Sequence, residues 1–174
     1  MFTLKRGTVT LALALVLAAS SFAYAPPLDF RLKTTDGGEI SSEMLKGDVV
    51  VLAFGASWLP LSKAQVQGVQ ELADRFADRN VRVYWVSTDS ERPGSRNYAT
   101  DAQLRDFARR NGLKVAVLRD PDGALLKKIG IDQMPAVVIL DRAGSVSGSP
   151  VGGLDPTGNL AEQLAPRLNR LLEQ

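Results

Sequence analysis

The chain has 174 residues, Lys+Arg 21 against Asp+Glu 19, 45% hydrophobic residues, and neither cysteine nor histidine. Without those two side chains it cannot assemble a Cys–His or Ser–His–Asp nucleophile, a thiolate for disulfide exchange or an ordinary zinc site. Lys5 and Arg6 precede the first acidic residue by a wide margin and lie in a leader; without it the chain is formally neutral, which offers nucleic acid no basic face and an anionic membrane surface no block of like charge.

The first 25 residues read as a secretory signal peptide and residues 26–174 as one globular domain. Lys5 and Arg6 give the positive start, Val9 to Ala19 is apolar apart from Thr10, and Ala23-Tyr24-Ala25 fits the small-x-small processing pattern. Pro26 follows directly and hinders a cut there, so cleavage is expected near Ala23 or Ala25. The apolar run is shorter than the roughly 20 residues of a spanning helix; an uncleaved anchor is the other reading.

Phe30 and Leu32 alternate with Arg31 and Lys33 and run into Asp36-Gly37-Gly38, a strand entering a hairpin. Ser41 to Lys46 is a short segment closed by Gly47. Val49 to Phe54 is apolar without alternation, as in a central strand buried on both faces. After Pro60, apolar residues at Val66, Val69, Leu72, Ala73 and Phe76 follow helical spacing and stop near Asn80. Val81, Val83, Trp85 and Val86 form the next strand. Thr88 to Thr100 reads as a surface loop, ended by a capping box in Thr100-Asp101-Ala102-Gln103. That helix carries Leu104, Phe107 and Ala108 and closes at Asn111-Gly112. Val115 to Leu118 is a short strand. Asp120-Pro121-Asp122-Gly123, the one place where two carboxylates sit close with a glycine, reads as a type I turn rather than a metal site. A helix follows over Ala124 to Ile129, then a second buried strand over Ala136 to Leu140. A turn at Asp141 to Gly144 leads to an edge strand near Val146 to Val151. Asp155-Pro156 fits a helix start, and Leu160, Leu164, Leu168 and Leu171 stripe the closing helix.

Helices between unalternating strands imply an α/β domain whose central mixed sheet is covered on both faces. Phe54-Gly55-Ala56-Ser57-Trp58-Leu59-Pro60-Leu61-Ser62-Lys63 resembles the active-site stretch of thioredoxin-superfamily reductases, Phe-Trp-Ala-Ser-Trp-Cys-Pro-x-Cys. Phe30, Leu32, Asp36-Gly37, Lys46-Gly47 and Gly130 to Pro135, with Val138 to Gly144, extend the likeness to the TlpA-like, redoxin-related branch. The resemblance implies a thioredoxin-like fold with an N-terminal β-hairpin extension, and a cis-proline at Met134-Pro135 facing the active-site helix. It puts Leu59 and Ser62 where the two cysteines belong, and Ala53 where thioredoxins proper carry a buried acid. Ser62 is expected to act as a helix-interior serine bonded to a preceding carbonyl.

The expectation is a periplasmic protein that lacks thiol chemistry, needs no cofactor or metal, and acts by binding, as a chaperone-like or assembly partner of envelope proteins or of unfolded, extended polypeptide. Trp58, Leu59, Pro60 and Leu61 with Met134 and Pro135 are the candidate groove; packing of Trp58, Leu59 and Leu61 on one another is the bland alternative. A non-catalytic subunit of a reductase, cysteine-independent peroxide or glutathione handling, and a purely structural module are the other readings. A membrane enters only if the leader stays attached.

Overall fold

In the computed structural model, which describes residues 26–152 and 158–174, the apolar run after Asp48 becomes an interior strand flanked by strands on either side. The elements run β1 (Arg31–Thr34), β2 (Glu39–Ser41), a 3₁₀ turn (Ser42–Leu45), β3 (Val49–Gly55), α1 (Pro60–Arg75), β4 (Val81–Ser87), α2 (Asp101–Arg110), β5 (Val117–Arg119), α3 (Ala124–Ile129), β6 (Ala136–Leu140), β7 (Val151–Gly152) and α4 (Leu160–Leu172). They build a seven-stranded sheet in the order β2-β1-β5-β4-β3-β6-β7. β3, β4 and β5 are parallel, whereas β1–β2, β1–β5, β3–β6 and β6–β7 are antiparallel. The leader at 1–25 and the helix start expected at Asp155-Pro156 lie outside the described residues.

The unbroken apolarity of β3 has a simple cause. Val49, Val51 and Ala53 point to a core shared with α1, α2 and α4, while Val50, Leu52 and Phe54 point to a second core closed by Leu45, Leu125 and the N-terminal segment. Each residue has apolar neighbours on its own side, and each fully buried aliphatic side chain contributes about 1.5–3 kcal/mol. α1 begins with Pro60 in its first turn, where the missing N–H costs nothing, and buries Val66, Val69 and Leu72 against the sheet. It crosses α4 at Gly68, where a Cβ would stand 2.7 Å from that of Leu160. The capping box of α2 forms as expected: Gln103 N–H donates to Thr100 Oγ1 at 3.2 Å and Thr100 N–H to Gln103 Oε1 at 2.8 Å.

Two strand boundaries differ from the sequence reading. β5 lies later than expected and ends on Arg119, because parallel pairing with Trp85–Ser87 and antiparallel pairing with Lys33 and Thr34 set its limits. The expected edge strand after Gly144 touches β6 at a single Leu140–Val146 bridge, leaves the ladder, and rejoins it at Val151 and Gly152. Between them Ser147 N–H still donates to Ile139 O at 2.8 Å, and Gly148 takes φ 60 where a Cβ would also stand 2.7 Å from Arg167 Nη2. α4 takes its N-cap from Asn159, whose Oδ1 accepts from Glu162 N–H at 2.9 Å. The loop at 88–100 is exposed in its middle, but Asp89, Ser90 and Ala99 at its two feet are buried.

Candidate functional site

The stretch that resembles a reductase active site lies where β3 ends and α1 begins. Leu59 is the N-cap of α1, in extended conformation with no side-chain cap bond. Trp58 is 57% exposed, Leu59 and Leu61 are half-buried and Pro60 is exposed. The Met134–Pro135 peptide bond is cis, with Met134 half-buried and Pro135 buried. Phe54 pairs with Ala136 in the β3–β6 register, so the Met134–Pro135 step follows directly beside Gly55. Thr88 links the two: its Oγ1 lies 3.1 Å from Gly55 O and 3.4 Å from Met134 Sδ. The six candidate groove residues thus gather at the carboxyl ends of β3 and β4.

Ser62 is fully buried. Its partner is not the preceding carbonyl expected from the sequence: its Oγ accepts the N–H of Ala56 at 3.2 Å. The N–H of Ala56 points inward at the turn before the helix and needs an acceptor there, so the hydroxyl is turned toward β3 instead of along α1. A thiol is a weaker acceptor than a hydroxyl. Serine therefore suits this turn on structural grounds alone.

Below Ser62 lies a polar cluster that pattern reading missed. Gln65 is buried; its Nε2 donates to Phe54 O at 3.0 Å and Ala136 O at 3.1 Å, and its Oε1 accepts Trp85 Nε1–H at 3.0 Å. Trp85 in turn stacks on Phe107, ring centroids 5.3 Å apart. Gly55 is needed for this arrangement: a Cβ there would sit 2.6 Å from Gln65 Oε1 and 2.9 Å from both Ser62 Oγ and Trp85 Nε1. The signal was a glutamine within the apolar stripe of α1, a polar residue at a position where burial demands partners. Ala53, at the place of the thioredoxin acid, is fully buried in the α1 core.

A second device holds the turn from the other side. Asp89, 1% exposed, accepts from Ser57 N–H and Ser57 Oγ–H, each at 2.8 Å, and from Ser87 Oγ–H at 2.8 Å. Charge-assisted bonds of this kind are the strong ones, and they pin the approach to α1 onto the end of β4. The two carboxylates of the Asp120 turn are engaged elsewhere. Gly123 N–H closes the turn on Asp120 O at 2.9 Å, Asp120 caps α3 through Leu125 and Leu126 N–H, and Asp122 pairs with Arg92 at 3.0 Å.

A sheet of this topology, with a helix entering beside a proline loop at the ends of its parallel strands, defines a thioredoxin-like protein in which leucine and serine stand at the thiol positions. Residues 24–149 match the AhpC/TSA family model, and the chain belongs to the AhpC/TSA family. It is 28% identical over 141 residues to sporulation thiol-disulfide oxidoreductase A of Bacillus subtilis, covering 80% of this chain and 78% of that one. The solved structure of StoA from Bacillus subtilis superimposes with a TM-score of 0.62 at 26% identity, covering 82% of this chain and 97% of that chain. A Chlorobium tepidum structure described as thiol:disulfide interchange protein DsbE reaches a TM-score of 0.71 at 22% identity, covering 86% and 97%. Among the described residues no helix is long and apolar enough to cross a membrane.

Proposed function

We propose that this protein is a thiol-free member of its family that works outside the cytoplasm by binding extended polypeptide, holding unfolded or assembling envelope proteins in the groove between Trp58–Ser62 and Met134–Pro135. The observation that carries the reading is Trp58, 57% exposed on a helix entrance held in place by Asp89, Gln65 and Thr88. A large ring kept in water on a rigid support is what an interaction anchor looks like. The relatives' names speak of thiol-disulfide oxidoreductases, and this chain, having no cysteine, retains the support of such a site without its reagent.

Magnitudes constrain how tight the complex is. Burying Trp58, Leu59 and Leu61 supplies at most about 5–8 kcal/mol, against an association cost of about 4–15 kcal/mol. Apolar contact is insufficient by itself, and backbone pairing of an extended segment beside Met134-Pro135 has to add to it. Binding is therefore expected in the micromolar class. The test compares wild type with Trp58→Ala and Leu59→Asp in suppressing aggregation of an unfolded periplasmic client, after each variant is shown to melt like the parent. Loss of suppression in both variants supports the groove; equal performance by all three proteins refutes it.

A further inference from the structure

We propose that the sheet rim between β1 and the turn after β5 is a second binding site, for a small oxyanion of the carboxylate or phosphate class. It is separate from the groove at α1 and does not depend on the reading given to that groove.

The register places Lys33 directly opposite Arg119. Residues so paired share one face with Cβ atoms about 4.5–5.5 Å apart, and like charges there repel. Glu39, opposite Lys33 on the other flank, turns its carboxylate to Arg31 instead. Among the described residues Lys33 has no carboxylate partner. Two cations thus face each other across a ladder, one of them uncompensated.

The second observation is independent. The Arg119 side chain is 2% exposed. Nη1 donates to Ala99 O at 3.1 Å and to Asp101 Oδ1 at 2.9 Å, and Nη2 to Asp89 O at 3.2 Å. Its Nε–H has no hydrogen-bond acceptor, and Glu91 Oε1 stands 3.7 Å off, too far to serve. This buried donor has an ion-pair neighbour but no acceptor at bonding distance, so a closer acceptor would satisfy it.

The two features meet in one cleft of ≈ 250 Å³, whose lining includes Arg31, Lys33, Arg119, Glu91, Asp120 and Asp122. Asp120 and Asp122 are occupied by the α3 N–H groups and by Arg92. That leaves Glu91, whose side chain is 48% exposed, as the carboxylate an incoming anion displaces. The cleft is smaller than a drug-sized pocket, which limits its ligand to a few heavy atoms. It also opens at the carboxyl end of β5, the edge of a parallel sheet where such folds collect ligands.

Calorimetric titration of the purified protein with sodium phosphate and with sodium acetate, at ionic strength held constant by sodium chloride, tests the site. Saturable binding above the chloride control is expected for at least one anion, and which one saturates identifies the class. Removing one charge-assisted contact weakens binding about tenfold or more, so Lys33→Gln, an exposed change that leaves the ladder bonds in place, should lose affinity by that factor. Glu91→Gln should tighten binding, since the competing carboxylate is gone. Absence of saturation in both wild type and Glu91→Gln, or undiminished affinity in Lys33→Gln, overturns the proposal.

Discussion

At the scale of single residues, the site is held by groups that do no chemistry of their own. Gln65 adds a second bond to the ladder carbonyls of Phe54 and Ala136 and accepts the indole N–H of Trp85, so removing its amide leaves that buried N–H without an acceptor. Such a group costs about 1–3 kcal/mol, part of which water entry recovers. Gln65→Leu, of similar volume, is expected to lower unfolding free energy by about 1–3 kcal/mol in a urea titration. An unchanged midpoint would mean the cluster adds nothing to stability. Gln65 was readable as an anomaly, a polar residue in an apolar stripe. Its partners were not, because the Trp85 contact spans 20 residues of sequence and the Ala136 contact 71.

At the scale of elements, the packing of α1 on α4 sets the stiffness of the helix that carries Trp58 and Leu59. Gly68 lies against Leu160 of α4. In an exposed helix, glycine to alanine stabilises by about 1 kcal/mol. Here the new Cβ would meet the Leu160 Cβ at 2.7 Å, and both are held by backbone, so neither yields. Gly68→Ala is therefore expected to destabilise by about 1–3 kcal/mol. Leu160→Ala does not clear this clash, because its own Cβ remains; Leu160→Gly does. In a double-mutant cycle measured by chemical denaturation, Gly68→Ala with Leu160→Gly should show a favourable coupling of at least 0.5 kcal/mol in order of magnitude. Strict additivity would show that the helices simply slide apart.

At the scale of the whole molecule, the absence of thiols governs behaviour in an oxidising compartment. The purified protein should melt at the same temperature with dithiothreitol, with oxidised glutathione and with neither, and should not reduce insulin disulfides. A redox-dependent shift in a preparation free of contaminating reductase would contradict the reading of the chain. The scaffold can be interrogated further by restoring the chemistry. Ser62 N–H bonds Leu59 O at 3.0 Å, one turn apart, so Leu59→Cys with Ser62→Cys should form a disulfide within ordinary Cα limits. The first of the two thiols, at the helix start, should titrate below the usual thiol value. Two unpaired thiols of ordinary acidity would show that the helix entrance no longer serves that chemistry.

What the sequence determines by itself is whatever is local or compositional. Unalternating β3 and β6, the capping box at Thr100, the helical spacing after Pro60 and the turn at Asp120 are each encoded within a few neighbouring residues, and together they specify an α/β sheet covered on both faces. The loss of thiol chemistry follows from composition alone. The tertiary structure decides what depends on register and on chain reversal: Ser57 meeting Asp89 across 32 residues, the Ser62 hydroxyl turning to the Ala56 N–H, Lys33 falling opposite Arg119. The Arg119 side chain shows the difference most plainly. Read locally, it is a charged residue at the margin of a strand; in the fold it is buried, because β1 crosses over to pair with β5 and the loop after β4 folds its carbonyls onto the guanidinium. No periodicity in the sequence carries that information, since strand order and register are chosen by the packing of the whole sheet.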